Sequence, residues 1–318
     1  MNTHLRWGIL GTGRIAQTFA TQLPGSETGR LVTIGTRAPS QTPHWCNVPL
    51  VHYASVVANP EVDAIYIALP NGLHKEWTLR ALHAGKHVLC EKPLACSVAD
   101  VEEMFAHAKS HGRVLVEAFM YRCQPAIQEA LRLIQEGAIG EVHTLRGAFS
   151  FADALHPHDY RWHEDHGPGA LMDVGCYPIQ FMNAIMKSAP LHVNASLHEV
   201  KAGVDRSGAA LLHYPGGVPG VITFGMEIGD DRSFQVSGTR GSIRFADPWL
   251  GGTEFIWQHD GDTETHRHEA PQGQYALEAD AFAAAVRGEA PPWISEAESL
   301  WCARTMAAIK EAARKAGA

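Results

Sequence analysis

The feature that most constrains this chain is the passage from an apolar run, Trp7-Gly8-Ile9-Leu10, directly into Gly11-Thr12-Gly13-Arg14-Ile15-Ala16. A glycine in the first of these positions permits a tight turn out of a strand. A glycine in the second lets a bound group approach the main chain, and a small third residue lets the following helix pack closely on the strand. The start of that helix presents free N–H groups and a partial positive charge, the arrangement that receives a pyrophosphate. A glycine turn alone carries little weight. At the head of a strand–turn–helix series it marks a dinucleotide site, with Gly11, Thr12, Gly13, Arg14 and Ile15 as candidate contacts.

The series is present. Trp7–Leu10, Leu31–Thr36, Asp63–Leu69, His87–Cys90 and Val114–Ala118 read as buried strands. Between them lie segments of helical spacing, His74–Ala84 closed by Gly85, and Val98–Ser110 with Ser97 as its N-cap. Strands alternating with helices build right-handed βαβ units and a parallel, doubly wound Rossmann sheet. A helix is expected over Pro125–Glu136, after which the texture changes. Strands are then expected over Val142–Phe149, His192–Val200, Ala209–Tyr214, Val218–Phe224, Ser233–Ser237 and Ser242–Phe245, with a hairpin turn at Pro215-Gly216-Gly217. Two helices end the chain, the second opened by a Ser295/Glu298 capping box. The expectation is α/β: a Rossmann domain over 1–121, then an α+β domain over 122–318 with a large open, mostly antiparallel sheet.

The 318 residues suit two cores, with 45% hydrophobic and 19% charged residues. A net charge of −8 argues against nucleic-acid and anionic-membrane partners. No apolar run approaches the roughly 20 residues of a membrane span, and the first ten residues hold no signal-peptide core. The six cysteines form no CxxC pair, which suits reduced thiols in a cytoplasmic setting.

At the end of the second strand an NAD site carries an acidic residue for the ribose 2′-hydroxyl. This chain reads Ile34-Gly35-Thr36-Arg37, with no carboxylate. Arg37 suits a 2′-phosphate, with the Thr36 hydroxyl beside it, so the expected cofactor is NADP. The plainer alternative is that Arg37 is a solvated loop residue. Three further stretches carry polar groups to the C-terminal ends of the strands, where open α/β sheets bind ligands. They are Leu69-Pro70-Asn71-Gly72-Leu73-His74, Cys90-Glu91-Lys92-Pro93 and Glu117-Ala118-Phe119-Met120-Tyr121-Arg122. Taken alone, Lys92 reads as an exposed structural lysine and Tyr177 as a core aromatic.

Together with GTGRIA, the segments IALPNGLH, CEKPL, VEAFMYR and GALMDVGCY resemble the Gfo/Idh/MocA oxidoreductases along essentially the whole chain. They are most similar to the branch of dihydrodiol dehydrogenases and aldose 1-dehydrogenases that use NADP. The resemblance implies catalysis by Lys92, Asp173 and Tyr177. The lysine hydrogen-bonds the reacting oxygen, the tyrosine exchanges the proton, and the aspartate holds a substrate hydroxyl or orients the tyrosine. An ammonium near a tyrosine favours its phenolate and so fits it to accept a proton. It also makes Leu69, Pro70, Asn71, His74, Glu91, Lys92, Glu117, Ala118 and Arg122 candidate cofactor contacts. The expected substrate is a sugar or polyol, with an aldose oxidised at C1 foremost and a trans-dihydrodiol or a keto-sugar as alternatives. A non-catalytic NADP-binding sensor is the alternative of another class, and a homo-oligomer is expected from the family's sheets. Two departures, Gly167-Pro168-Gly169 within the glycine run and Cys123-Gln124-Pro125 after the MYR segment, fall on the substrate side.

The loop from His156 to His166 is rich in histidine. Its prolines and mixed spacing offer no tetrahedral set, so no metal is expected. Arg161 and Trp162 within it are instead candidates to meet cofactor or substrate.

Overall fold

The structure is a computed structural model that describes residues 4–40, 45, 47–153, 159–162, 169–201 and 204–316. The chain forms two compact units, residues 1–123 with 271–296, and residues 124–270 with 297–318. Both lobes are therefore discontinuous, which differs from the single boundary expected near residue 121.

The first unit is built on β1 (Leu5–Leu10), β2 (Gly29–Gly35), β3 (Leu50–Val51), β4 (Ala64–Ile67), β5 (His87–Glu91) and β6 (Leu115–Ala118). All pair in parallel, in the order β3-β2-β1-β4-β5-β6. That is the doubly wound order whose switch point lies between β1 and β4. Ile9, Ile34, Ile65, Ile67, Val88 and Val116 have no exposed surface, as strands covered on both faces require. The crossovers are α1 (Arg14–Gln22), α2 (Tyr53–Ala58), α3 (His74–His83) and α4 (Val98–Ser110). The Ser97 hydroxyl accepts from the Asp100 N–H at 3.2 Å, capping α4 as its sequence predicts.

The returning segment brings α7 (Gln274–Arg287) onto this unit. Phe282 meets Trp7 at 5.1 Å between ring centroids and Tyr275 meets Phe19 at 6.4 Å. Asp280 accepts from the Ser26 hydroxyl at 2.6 Å and the Thr28 N–H at 3.0 Å. Contacts separated by some 250 positions leave no trace in local sequence pattern.

The second unit carries α5 (Pro125–Gln135), α6 (Cys176–Met186), α8 (Glu296–Ala316) and eight strands. The strands are β7 (Val142–Phe151), β8 (His192–Lys201), β9 (Val204–His213), β10 (Pro219–Met226), β11 (Phe234–Gly238), β12 (Gly241–Phe245), β13 (Glu254–His259) and β14 (Asp262–Arg267). Their order is β14-β13-β12-β11-β7-β10-β9-β8, antiparallel except for the parallel pair β7–β10. The Pro215-Gly216-Gly217 turn joins β9 to β10, its glycines both at φ 77°.

The hairpin β13–β14 was not expected. β14 is an edge strand, Asp-Thr-Glu-Thr-His-Arg, which faces solvent and shows no apolar alternation. The legible signal was the Asp260-Gly261 turn, both residues at positive φ (49° and 91°), as a two-residue hairpin loop requires. On α6, Phe181 packs against Phe234, Phe245 and Trp249 at 4.4 to 6.0 Å, closing this unit's core. Among the described residues, no helix is long and apolar enough to cross a membrane.

Candidate active site

In the first unit every expected cofactor segment lies at the C-terminal edge of the parallel sheet. Gly11 has φ 118°, and a Cβ there would stand 2.3 Å from the Ala68 carbonyl oxygen at the end of β4. Only glycine fits that crossing of chains. Gly13, the N-cap of α1, has open space where its Cβ would lie, and Ala16 is wholly buried. An exposed cradle thus faces the N–H groups that begin α1, and it fits a pyrophosphate. Arg14 is exposed beside it.

Thr36 is buried at the end of β2, its hydroxyl accepting from the Ala38 N–H at 3.3 Å. Arg37 is exposed and interacts with the Tyr53 hydroxyl. Burial raises the Tyr53 pKa, against the opposing pull of the Arg37 charge. No acidic side chain stands at Thr36-Arg37, the end of the strand where an NAD site would place one.

Lys92 follows β5 directly and is half-buried, with a cis peptide bond to Pro93. Several neighbours expected to contact cofactor are buried and engaged within the unit. His74 has no exposed surface, and its Nδ1 and Nε2 lie 3.0 Å from the Pro93 oxygen and 2.8 Å from the Leu69 oxygen. Its ring thereby ties the loop after β4 to the loop after β5, and burial lowers its pKa. Glu117 accepts from the Leu94 N–H at 2.9 Å, fixing the far side of the Lys92-Pro93 turn. Glu91 accepts from the Tyr66 hydroxyl, and Arg122 donates to the Trp293 oxygen at 3.4 Å. Leu69, Asn71 and Ala118 are buried, while Pro70 is partly open.

In the second unit, Asp173 lies in a turn of π-helix, Leu171–Gly175, that runs straight into α6. Such wide turns are concentrated at functional sites. The turn is set by Asp205 of β9, a buried carboxylate that accepts from the Leu171 N–H at 2.7 Å. Gly169, at φ 99°, is required there, since a Cβ would meet Asp205 at 2.1 Å. Asp173 pairs with Arg161, Nε to Oδ2 3.2 Å, and Arg161 also lies 3.8 Å from Asp159. Arg161, expected as a cofactor or substrate contact, is thus brought to the catalytic candidate of its own unit. Trp162 beside it lies under the Arg206 guanidinium at 5.8 Å, and Arg206 pairs with Glu227 at 3.1 Å.

Tyr177 is 4% exposed, its ring 5.0 Å from Phe149 and 5.9 Å from Trp249. Its ring is packed on aromatics, as the core-aromatic reading expects. Asp205, Arg206, Glu227 and Trp249 were missed by sequence reasoning, because nothing in their local pattern separates them from ordinary strand and turn residues. His156, His158, His163 and His166 lie outside the described residues. Among the described residues, no three His, Cys, Asp or Glu side chains are placed to hold a metal ion.

Residues 5–119 match the model of the Gfo/Idh/MocA oxidoreductase family with an NAD-binding Rossmann fold, and residues 127–244 match that family's C-terminal domain. The chain is 34% identical over 256 residues to trans-1,2-dihydrobenzene-1,2-diol dehydrogenase of Mus musculus, covering 77% of this chain and 75% of that one. It is 30% identical over 325 residues to D-xylose 1-dehydrogenase (NADP(+)) 2 of Haloferax volcanii, covering 99% of each. Among solved structures, aldose-aldose oxidoreductase from Caulobacter crescentus, in complex with glycerol, superposes with a TM-score of 0.90 at 28% identity over 98% of each chain. With both domain models matched in order and relatives aligned along nearly its whole length, the chain belongs to the Gfo/Idh/MocA oxidoreductases.

Proposed function

We propose that this oxidoreductase uses NADP to interconvert a hydroxyl-bearing and a carbonyl carbon of a sugar or polyol, with oxidation of an aldose at C1 the foremost activity. The carrying observation is the placement of Lys92 at the end of β5 in the sheet whose glycine turn leaves the open cradle at Gly13. The name of the Haloferax volcanii relative, D-xylose 1-dehydrogenase (NADP(+)) 2, supports both the cofactor and the substrate class.

When bound, NADP supplies the hydride acceptor or donor at its nicotinamide ring. Gly11 and Gly13 admit its pyrophosphate against α1, and Arg37 with Thr36 meets the 2′-phosphate. Lys92 donates to the reacting oxygen and stabilises the charge that develops on it as the hydroxyl proton leaves. Tyr177, as its phenolate, takes that proton, and as the neutral phenol returns it in the reducing direction. Asp173, its charge balanced by Arg161, accepts a hydrogen bond from a second hydroxyl and orients the substrate.

The test is turnover of purified protein with NADP⁺ or NAD⁺ and a panel of aldoses, polyols and trans-dihydrodiols, followed at the NADPH absorbance band. Lys92→Met should lower kcat by about a hundredfold or more while NADPH still binds. Near-normal turnover by that variant would remove Lys92 from the mechanism. Preference for trans-dihydrodiols over aldoses would establish them as the substrate class instead. NADPH binding with no turnover on any compound in either direction would point to a sensor.

A further inference from the structure

Glu278 of α7 has no exposed surface, and neither of its carboxyl oxygens meets a hydrogen-bond partner among the described residues. On the same helix face Tyr275 packs on Phe19 and Phe282 on Trp7, and Phe19 stacks on Tyr66 at 4.0 Å between centroids. The acid is therefore set into an aromatic layer. In that layer the Tyr66 hydroxyl donates to Oε1 of Glu91. The Lys92 N–H lies 3.3 Å from the other oxygen, Oε2, of the same carboxylate. Glu91 thus has donors on both oxygens. A second carboxylate in the same dry layer, with no donor of its own, is strongly disfavoured against its neutral acid.

The groups that bear on Glu278 are Glu91 from β5, Tyr66 from β4 and Cys123 after β6. Burial first, and then the charge of Glu91, hold the Glu278 carboxyl well above the ordinary carboxylic range. Burial, joined by the charge of Glu91, likewise raises Tyr66, and burial raises the Cys123 thiol.

We propose that Glu278 is a positioning residue for Lys92: held as the neutral acid, it adds no negative charge beside Glu91 beneath the Glu91-Lys92-Pro93 turn, and its ionisation displaces that turn. Two carboxylates crowded in one apolar site share one proton for this reason. The consequence for turnover rests on the role of Lys92 proposed above, whereas the protonation of Glu278 does not.

The experiment compares the wild-type chain with Glu278→Gln, an isostere that cannot ionise, with Glu278→Met in its place if the amide variant fails to fold. Urea unfolding between pH 5 and pH 8 reads the proton. The native state holds a proton that the unfolded state releases above about pH 4.5. The unfolding constant of the wild type should therefore rise relative to the variant by about tenfold per pH unit. Parallel stability curves would overturn the proposal. The pH profile of kcat reads the positioning: the wild type should show an alkaline decline that the variant lacks, with the KM for NADP changed less than about twofold. Superimposable profiles would overturn the positioning role even where the stability curves diverge. A Lys92→Met enzyme that still turns over would overturn the role of Lys92 and leave the stability comparison intact.

Discussion

Arg161 and Asp173 form an ion pair in which Nε stands 3.2 Å from Oδ2, with each side chain 17% exposed. The carboxylate that sequence reasoning placed next to the substrate thus has its charge balanced by a residue from the histidine-rich loop, twelve positions earlier. The pair explains why the π-helical turn can present an acid in a buried setting, since an isolated carboxylate there would be costly.

Replacing Arg161 by Met leaves Asp173 without its partner charge. At this intermediate exposure the effect should be about 1–3 kcal/mol, smaller than for a fully buried pair. It should appear as a drop in kcat/KM for the sugar of roughly five- to a hundredfold, because Arg161 pairs with Asp173, the residue proposed to orient the substrate. NADPH affinity, measured by fluorescence titration, should be unchanged. A variant that loses NADPH binding instead would move Arg161 to the cofactor.

The two glycines of the first turn should fail in different ways. Gly11→Ala forces a Cβ to 2.3 Å from the Ala68 oxygen at a backbone angle of φ 118°, so it should destabilise the fold by several kcal/mol, on the order of the strain at such positions. Gly13→Ala meets nothing within 4 Å. Its melting temperature should match the wild type while NADPH binding weakens at least about tenfold, since the added methyl fills the space of the pyrophosphate. Unaltered NADPH affinity in Gly13→Ala would place the cofactor elsewhere.

Arg37 stands exposed at the end of β2 and interacts with Tyr53. Arg37→Ala should raise the KM for NADP⁺ by about ten- to a hundredfold and leave that for NAD⁺ nearly unchanged, as a charge-assisted phosphate contact worth about 1.5–3 kcal/mol would dictate. Steady-state kinetics with both nucleotides decides it; equal losses for the two would assign Arg37 a purely structural part.

His87 supplies an acid-sensitive point at the start of β5. Its Nδ1 accepts from the Val114 N–H at 3.0 Å, which requires the neutral ring, and burial together with Arg113 lowers its pKa to about 4. A histidine depressed from about 6.5 in the unfolded chain contributes stability above that value and loses it as the pH falls toward 4. Between pH 7 and pH 5 the wild type should lose about 2 kcal/mol through this residue. His87→Asn keeps an acceptor for Val114 and should flatten the curve over that range, measured by urea unfolding. An equally steep curve in the variant would assign the acid lability to other groups.

Local chemistry made much of this protein legible in its sequence. Gly11, Gly13 and Ala16 carry steric requirements that hold wherever a strand turns into a helix, and the structure satisfies them through contacts with Ala68 and the core. Buried parallel strands are continuous apolar runs, so β1, β2, β4, β5 and β6 announce themselves. Ser97 caps α4 through its own neighbour three residues on. The edge hairpin β13–β14 does not announce itself, because a strand exposed on its face carries no apolar alternation and only its turn is marked. Lys92, Asp173 and Tyr177 were singled out by resemblance, but their surroundings were decided by the tertiary structure alone. His74 reaches Pro93, Asp205 reaches Leu171, and Glu278 joins the layer of Tyr66 and Glu91, each across a sequence gap that no periodicity spans. A sequence states what a residue requires of its immediate neighbours; which distant side chain meets it, and hence its charge and orientation, is set only when the strands and helices pack.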